Sequence, residues 1–223
     1  MKSKTLLTTA VLALSASSIS AAPITVPNYS FEAQVLGSGA VAPGSPTDWL
    51  LSGGGGVYYP NGGNFISSGP LAAPADGNQY AYLETATANP GTVTLTSAAS
   101  LATVVAGTTY TLTAAIGHRN FDAAGGRRPD DYKIELLVDG TPVATNTLSD
   151  AHTNIPSGTW VDLSTDFTAI SSGGALTIRL THSSDDATFR QGAFDNIRLD
   201  AVPEPTSLAL LGLGGLIVAR RRH

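Results

Sequence analysis

Six aromatic side chains, Trp49, Tyr58, Tyr59, Phe65, Tyr80 and Tyr82, fall in and beside glycine-rich segments. Aromatic rings stack on the apolar faces of sugars, so a cluster of this kind points to polysaccharide binding. Any folded domain also draws part of such a cluster into its core. Trp49 and Phe65 are expected inside, whereas Tyr58 and Tyr59 are consecutive and project to opposite faces of an extended chain, which leaves at least one ring for a ligand. Tyr80 is the further ligand-binding candidate. A second concentration of polar chemistry spans His118 to Tyr132 and includes Asp122, Arg127, Arg128, Asp130 and Asp131. Arg127 or Arg128 is the candidate contact to an acidic sugar there; the alternative is a solvated connection whose charges pair locally.

Catalytic groupings are harder to assemble. His118, His152 and His182 lack the H-x-x-x-H spacing of a metal site, and no serine sits in a G-x-S-x-G turn. Cysteine is absent, which removes thiolate nucleophiles, zinc-thiolate sites and disulfides. Asp122, Asp130, Asp185 and Asp186 are all loop-like, and no glycosidase pair stands out among them. No catalytic residue is assigned, and binding rather than turnover is the expectation.

Strands must position these side chains. Between the two ends of the chain, short β-branched and aromatic stretches bounded by Gly, Pro, Asn and Asp recur, and helical periodicity is nearly missing. The clearest stretch is 108–118, where Tyr110, Leu112, Ala114 and Ile116 alternate with polar or small residues. Others are 132–138, 142–148, 160–168, 175–182 and 194–199, with earlier ones at 64–67, 79–84 and 92–96. Asp139-Gly140 supplies the positive φ angles of a tight hairpin. Glycine-rich segments 37–46 and 53–63 read as long loops at one end. The fold class is therefore all-β, a jelly-roll β-sandwich of two antiparallel sheets.

The domain occupies residues 22–201, a length that suits a single core. It carries 7 basic against 16 acidic residues, a formal charge of −9, which repels phosphate backbones and argues against nucleic acid. Residues 1–21 form a signal peptide: a basic start at Lys2 and Lys4, an apolar stretch over 5–14, and small residues up to a cleavage point after Ser20 or Ala21. Signal peptidase is the implied partner.

Residues 202–223 combine Pro203-Glu204-Pro205, an apolar run over 207–219 and Arg220-Arg221-Arg222. As a short hydrophobic helix that run is ~20 Å long, against a bilayer core of ~30 Å. The segment resembles the PEP-CTERM sorting signal of Gram-negative bacteria. The resemblance implies recognition by an exosortase, transient anchoring in the inner membrane, and delivery to the cell surface or extracellular matrix. An ordinary C-terminal membrane anchor is the alternative.

The domain opens with Asn28-Tyr29-Ser30-Phe31-Glu32 and closes with Phe194-Asp195-Asn196-Ile197-Arg198-Leu199. These ends resemble the first and last strands of galactose-binding-like sandwiches, including carbohydrate-binding modules and the similar Stig cyclases. The resemblance implies a structural calcium ion held where the terminal strands meet, by Glu32, Asp195 and oxygens near Asn28, with Asp76-Gly77-Asn78 a weaker contributor. The alternative is that Glu32 caps backbone amides while Asp195 pairs with Arg198 or Arg179. Stig cyclases rearrange isonitrile-bearing indole terpenoids with an acidic side chain. If that acid lies two residues before the final-strand aspartate, this chain holds Ala193 there. Expected roles are thus a polysaccharide-binding surface protein, a cyclase-like or glycan-active enzyme using the same cavity, or a purely structural matrix protein.

Overall fold

A computed structural model describes residues 20–60, 75–85, 91–120, 128–185 and 190–204. Its elements are β1 (Ala22–Ile24), β2 (Val41–Pro43), β3 (Trp49–Ser52), β4 (Gly54–Tyr58), β5 (Tyr80–Thr85), β6 (Gly91–Ser97), β7 (Ala102–Thr103), β8 (Thr108–His118), β9 (Asp131–Val138), β10 (Thr141–Leu148), α1 (Ala151–Asn154), β11 (Thr159–Thr168), β12 (Ala175–Ser184) and β13 (Arg190–Pro203). One sheet runs β11-β8-β13-β5-β4-β2 with β1 beside β13; the other runs β10-β9-β12-β6-β3 with β7 beside β12. The strand pairs are antiparallel, and the two sheets face each other as the expected sandwich.

Alternation explains which face each strand buries. Tyr110, Leu112, Ala114 and Ile116 of β8 line the core, as do Tyr132, Ile134 and Leu136 of β9 and Leu176, Ile178 and Leu180 of β12. Asp139 and Gly140 take φ of 49° and 78° and join β9 to β10 in the expected hairpin. Trp49 is buried, as expected, with its ring 5.6 Å from that of Phe31.

The glycine-rich segments differ from expectation. Residues 41–43 and 54–58 are strands, not loops. Glycine serves close approach here rather than turning: a Cβ on Gly56 would collide with the Ala42 carbonyl oxygen of the neighbouring strand. The expected strand at 64–67, residues 1–19 of the expected signal peptide at 1–21 and the apolar run over 207–219 lie outside the described residues. Among those described, no helix is long and apolar enough to cross a membrane.

β13 organises the molecule. It pairs with β8 on one side and with β5 and β1 on the other. A bulge between Asp195 and Arg198 interrupts the ladder, with Asn196 at φ 47° and the Ile197 amide bonded to Tyr29 O at 2.9 Å. The strand then continues past residue 201: Pro203 lies opposite Thr108, and the Glu204 amide donates to Gly107 O at 2.6 Å. The sorting motif therefore begins inside the sheet. Near the other end of β13, a Cβ on Gly192 would sit 2.7 Å from His182 Cδ2 and 2.9 Å from Tyr132 Cε1, between the sheets. Gly192→Ala should therefore cost about 2 kcal/mol by overpacking, read as a lower urea midpoint at unchanged slope.

Candidate functional site

A cavity of about 300 Å³ opens on the outer face of the seven-stranded sheet, lined by Gly39, Val41, Tyr58, Tyr82, Glu84, Arg119 and Gln191. Strand alternation builds it. Tyr80, Tyr82 and Glu84 occupy every second position of β5, so all three share the face opposite the core residues Ala81 and Leu83. Gln191 lies opposite Glu84 in the β13–β5 ladder, and Tyr58 lies opposite Tyr80 in the β4–β5 ladder. Tyr58, Tyr80, Tyr82 and Ala193 pack as a separate cluster with Trp160 against it.

The polar groups of this cavity form one chain. Arg119 is 6% exposed, and its guanidinium lies 4.7 Å over the Tyr58 ring. Its Nη1 donates to Gln191 Oε1 at 3.0 Å, and its Nη2 donates to the Tyr58 hydroxyl at 3.3 Å. Gln191 Nε2 in turn donates to Glu84 Oε1 at 2.7 Å. The amide of Gln191 thus holds a cation on one side and a carboxylate on the other. Burying an arginine is costly unless it is so bonded, and the network fixes its orientation. A hydroxyl-rich molecule entering the cavity meets aromatic walls, an anion, a cation and an amide within one small volume.

Of the expected ligand-binding residues, the structure brings Tyr58 to the cavity and Tyr80 to the cluster behind it. Tyr59 is half-buried and lies off the cavity lining, its backbone bonded to Gly39 and Ala40. Arg127 lies outside the described residues. Arg119, Glu84 and Gln191 were not singled out from sequence. Glu84 was legible there, because it continues the alternation of Tyr80 and Tyr82.

Two of the three expected calcium residues, Glu32 and Asp195, bond to the loop formed by residues 76–79. Glu32 Oε1 accepts the Asn78 and Gln79 amides at 2.6 Å each, and its Oε2 accepts Gln79 Nε2 at 3.1 Å. Asp195 Oδ2 accepts the Asp76 amide at 2.8 Å and Oδ1 the Asn196 amide at 2.7 Å. Asn28 closes its own loop instead, its Oδ1 accepting the Ala33 amide and its Nδ2 donating to Thr47 O. Glu32 caps amides of a distant loop. Arg179 and Arg198, the alternative partners of Asp195, pair with Glu135 and Asp162.

Asp195 is 0% exposed, and burial pushes its carboxyl up to about 8, with Asp76 and Glu32 adding like charge. An ionised carboxylate here lacks a cationic partner among the described residues, a condition that a divalent ion would relieve. The tighter trio of metal-ligand atoms among the described residues is elsewhere, at Asp130, Asp150 and His152, within 4.8 Å of one another.

These features define an all-β sandwich with an outer-face cavity and a chain end that carries a sorting motif. The family comparisons agree: residues 22–200 match the HpiC1-like family, described as HpiC1 cyclase, and residues 201–222 match the PEP-CTERM protein-sorting motif. The chain belongs to the HpiC1-like family, and its sorting motif marks it as exported and directed to the cell surface. Among solved structures, a cyclase from Fischerella sp. TAU is 24% identical with TM-score 0.67, covering 83% of this chain and 99% of that one. The Stig cyclase Fisc from the same source, in complex with an indole compound, is 24% identical with TM-score 0.68, covering 83% and 100%. An arabinose-bound MgGH51 α-L-arabinofuranosidase is 13% identical with TM-score 0.51, covering 81% of this chain and 26% of that one. At these identities the likeness is one of fold. No curated protein matches the chain.

Proposed function

We propose that this protein is an exosortase substrate of a Gram-negative bacterium, anchored transiently in the inner membrane by its tail, and that its sandwich binds extracellular polysaccharide in the outer-face cavity. The observation that carries this reading is the Arg119–Gln191–Glu84 chain beside Tyr58 and Tyr82. Its volume lies at the lower end of small-molecule sites, roughly 300–1,000 Å³, and suits a short stretch of glycan rather than a long one. Calcium is proposed as a structural ion held chiefly by Asp195, with Glu32, Asp76 and main-chain oxygens near Asn28 around it. The ion would join the turn after β1 and the 76–79 loop to the last strand, in a domain that has no cysteine with which to do so.

A glycan array probed with residues 22–204, with and without calcium, tests the binding. A retained glycan should lose at least tenfold in affinity in Glu84→Gln, because a charged acceptor becomes a neutral amide. No retained glycan, or equal affinity in the variant, would overturn the reading.

A second reading is turnover of an indole-bearing substrate in the same cavity. The family match favours it, together with Glu84 as a carboxylate inside the cavity. If the family's acid lies two residues before Asp195, Ala193 stands there and cannot donate a proton; in this reading the role passes to Glu84, the carboxylate that lines the cavity among the described residues. Calorimetric binding of an indole, with no glycan retained, would favour this reading over the first.

A further inference from the structure

Both membrane-directed segments leave the sandwich at one end. Glu204 is tied to Gly107, and Ala22 lies opposite Ala201, so the chain before β1 and the chain after β13 emerge side by side. Two loops flank this exit and are locked to each other. Gly107 N donates to Ala169 O at 2.8 Å, Gly173 N to Val104 O at 2.8 Å, and Ala106 N to Ser172 Oγ at 2.9 Å. Each loop carries an aliphatic side chain in solvent: Val105 is 54% exposed and Ile170 is 96% exposed. Neither belongs to the buried core of the described residues.

Chain length says what covers them. The apolar run begins at Ser207, three residues after Glu204. Three residues reach roughly 10 Å even when fully extended. The polar layer of a bilayer is itself about 5–8 Å deep on each side, so an inserted tail draws the exit loops to the headgroups. The cavity is far away. Arg119 lies eleven residues beyond Thr108 along β8, about 36 Å at 3.3 Å per residue.

We propose that the end bearing Val105 and Ile170 is a bilayer-facing seat, so that the sandwich stands on the membrane while its tail is inserted, with the cavity turned outward. Aliphatic side chains at the acyl boundary favour this pose, and Asp139 and Glu204 stay in the hydrated headgroup layer. The pose rests on the proposed anchoring, and it explains how a tethered protein keeps its ligand site clear of the surface that holds it.

The chain has no cysteine, so single labels are clean. Residues 22–223 carrying Val105→Cys, Ile170→Cys or Val41→Cys, each labelled with a polarity-sensitive fluorophore, are mixed with phosphatidylethanolamine–phosphatidylglycerol vesicles containing a headgroup-proximal spin-labelled lipid. Val41 lines the cavity and is 49% exposed, so it serves as the distant reference. Quenching at 105 and 170 should exceed that at 41 at least threefold, with a blue shift that appears only when vesicles are present. Flotation with the vesicles but equal quenching at all three positions would sink the seat alone. Failure to float would sink both the anchoring and the seat. A blue shift already present without vesicles assigns the patch to contact between copies and also overturns the proposal.

Discussion

Stripped of divalent ions, the domain should lose about 2 kcal/mol of stability between pH 6.5 and 8, and calcium should abolish that loss. The folded Asp195 carboxyl holds its proton up to about 8, because burial disfavours the charge and Asp76 and Glu32 add to it. In the unfolded chain the same group releases its proton near 4. The native state therefore binds the extra proton across this window, and stability falls by up to ~1.4 kcal/mol for each pH unit of rise. His182 works with the opposite sign. It is 0% exposed, burial lowers it to about 3, and its Nε2 accepts the Asp130 amide at 3.1 Å, which fixes it neutral.

Below about 6.5 the unfolded chain protonates that histidine and the folded one does not, so stability falls as pH drops. His118, also lowered by burial, adds in the same direction. Between about 4 and 6.5 the aspartate and histidine slopes offset each other. Above 6.5 Asp195 sets the slope among the described residues. In a chelator, the melting temperature should rise gently over the middle of the range, where His118 tips the balance, and drop by about 4–8 °C from pH 6.5 to 8. Saturating calcium competes with the proton and should raise the melting temperature most at pH 8. Asp195→Asn should remove both the alkaline fall and the calcium effect. A wild-type profile in chelator that is flat through pH 8 and overlays the variant would show that the buried carboxyl is not linked to stability.

Much of this architecture was legible in the residues because alternation writes burial into sequence. The stretch 108–118 has the bounds of β8, and 175–182 falls short of β12 by two residues. β4 was invisible for the converse reason. Gly54, Gly55 and Gly56 carry no side chain, so they offer no pattern, and their role is to admit neighbouring backbones. The cavity was half legible. Tyrosines announce themselves by type, but Arg119 follows β8, Glu84 is in β5 and Gln191 in β13, and only the strand registers make them neighbours. Sequence separation hid the network; the shared face of Tyr80, Tyr82 and Glu84 did not. The bulge at Asn196 likewise needed coordinates, since nothing in the spacing shows that Asp195 and Arg198 straddle it.

Tyr132→Phe should lower stability by about 3–4 kcal/mol, although it deletes a single oxygen. Tyr132 belongs to β9 in one sheet, yet its hydroxyl crosses the core and donates to Gly117 O at 2.6 Å while accepting the Ala193 amide at 2.7 Å. Gly117 and Ala193 are partners in the β8–β13 ladder of the opposite sheet. The phenol thus bridges a rung, and burial holds it protonated far above its ordinary range. Phenylalanine fills the same space but leaves a carbonyl and an amide facing an apolar edge, at about 1–3 kcal/mol for each buried group. For a domain of this size that is a fall of roughly 10 °C in melting temperature. The damage should not stop at stability. Ala193 packs under Tyr58, Tyr80 and Tyr82, so a loosened rung lies directly beneath the cavity floor. Ligand affinity should drop in Tyr132→Phe even where the fraction folded is unchanged. A melting temperature within 2 °C of wild type would mean that β8 and β13 close the rung by a direct bond, and that the crossing hydroxyl adds little.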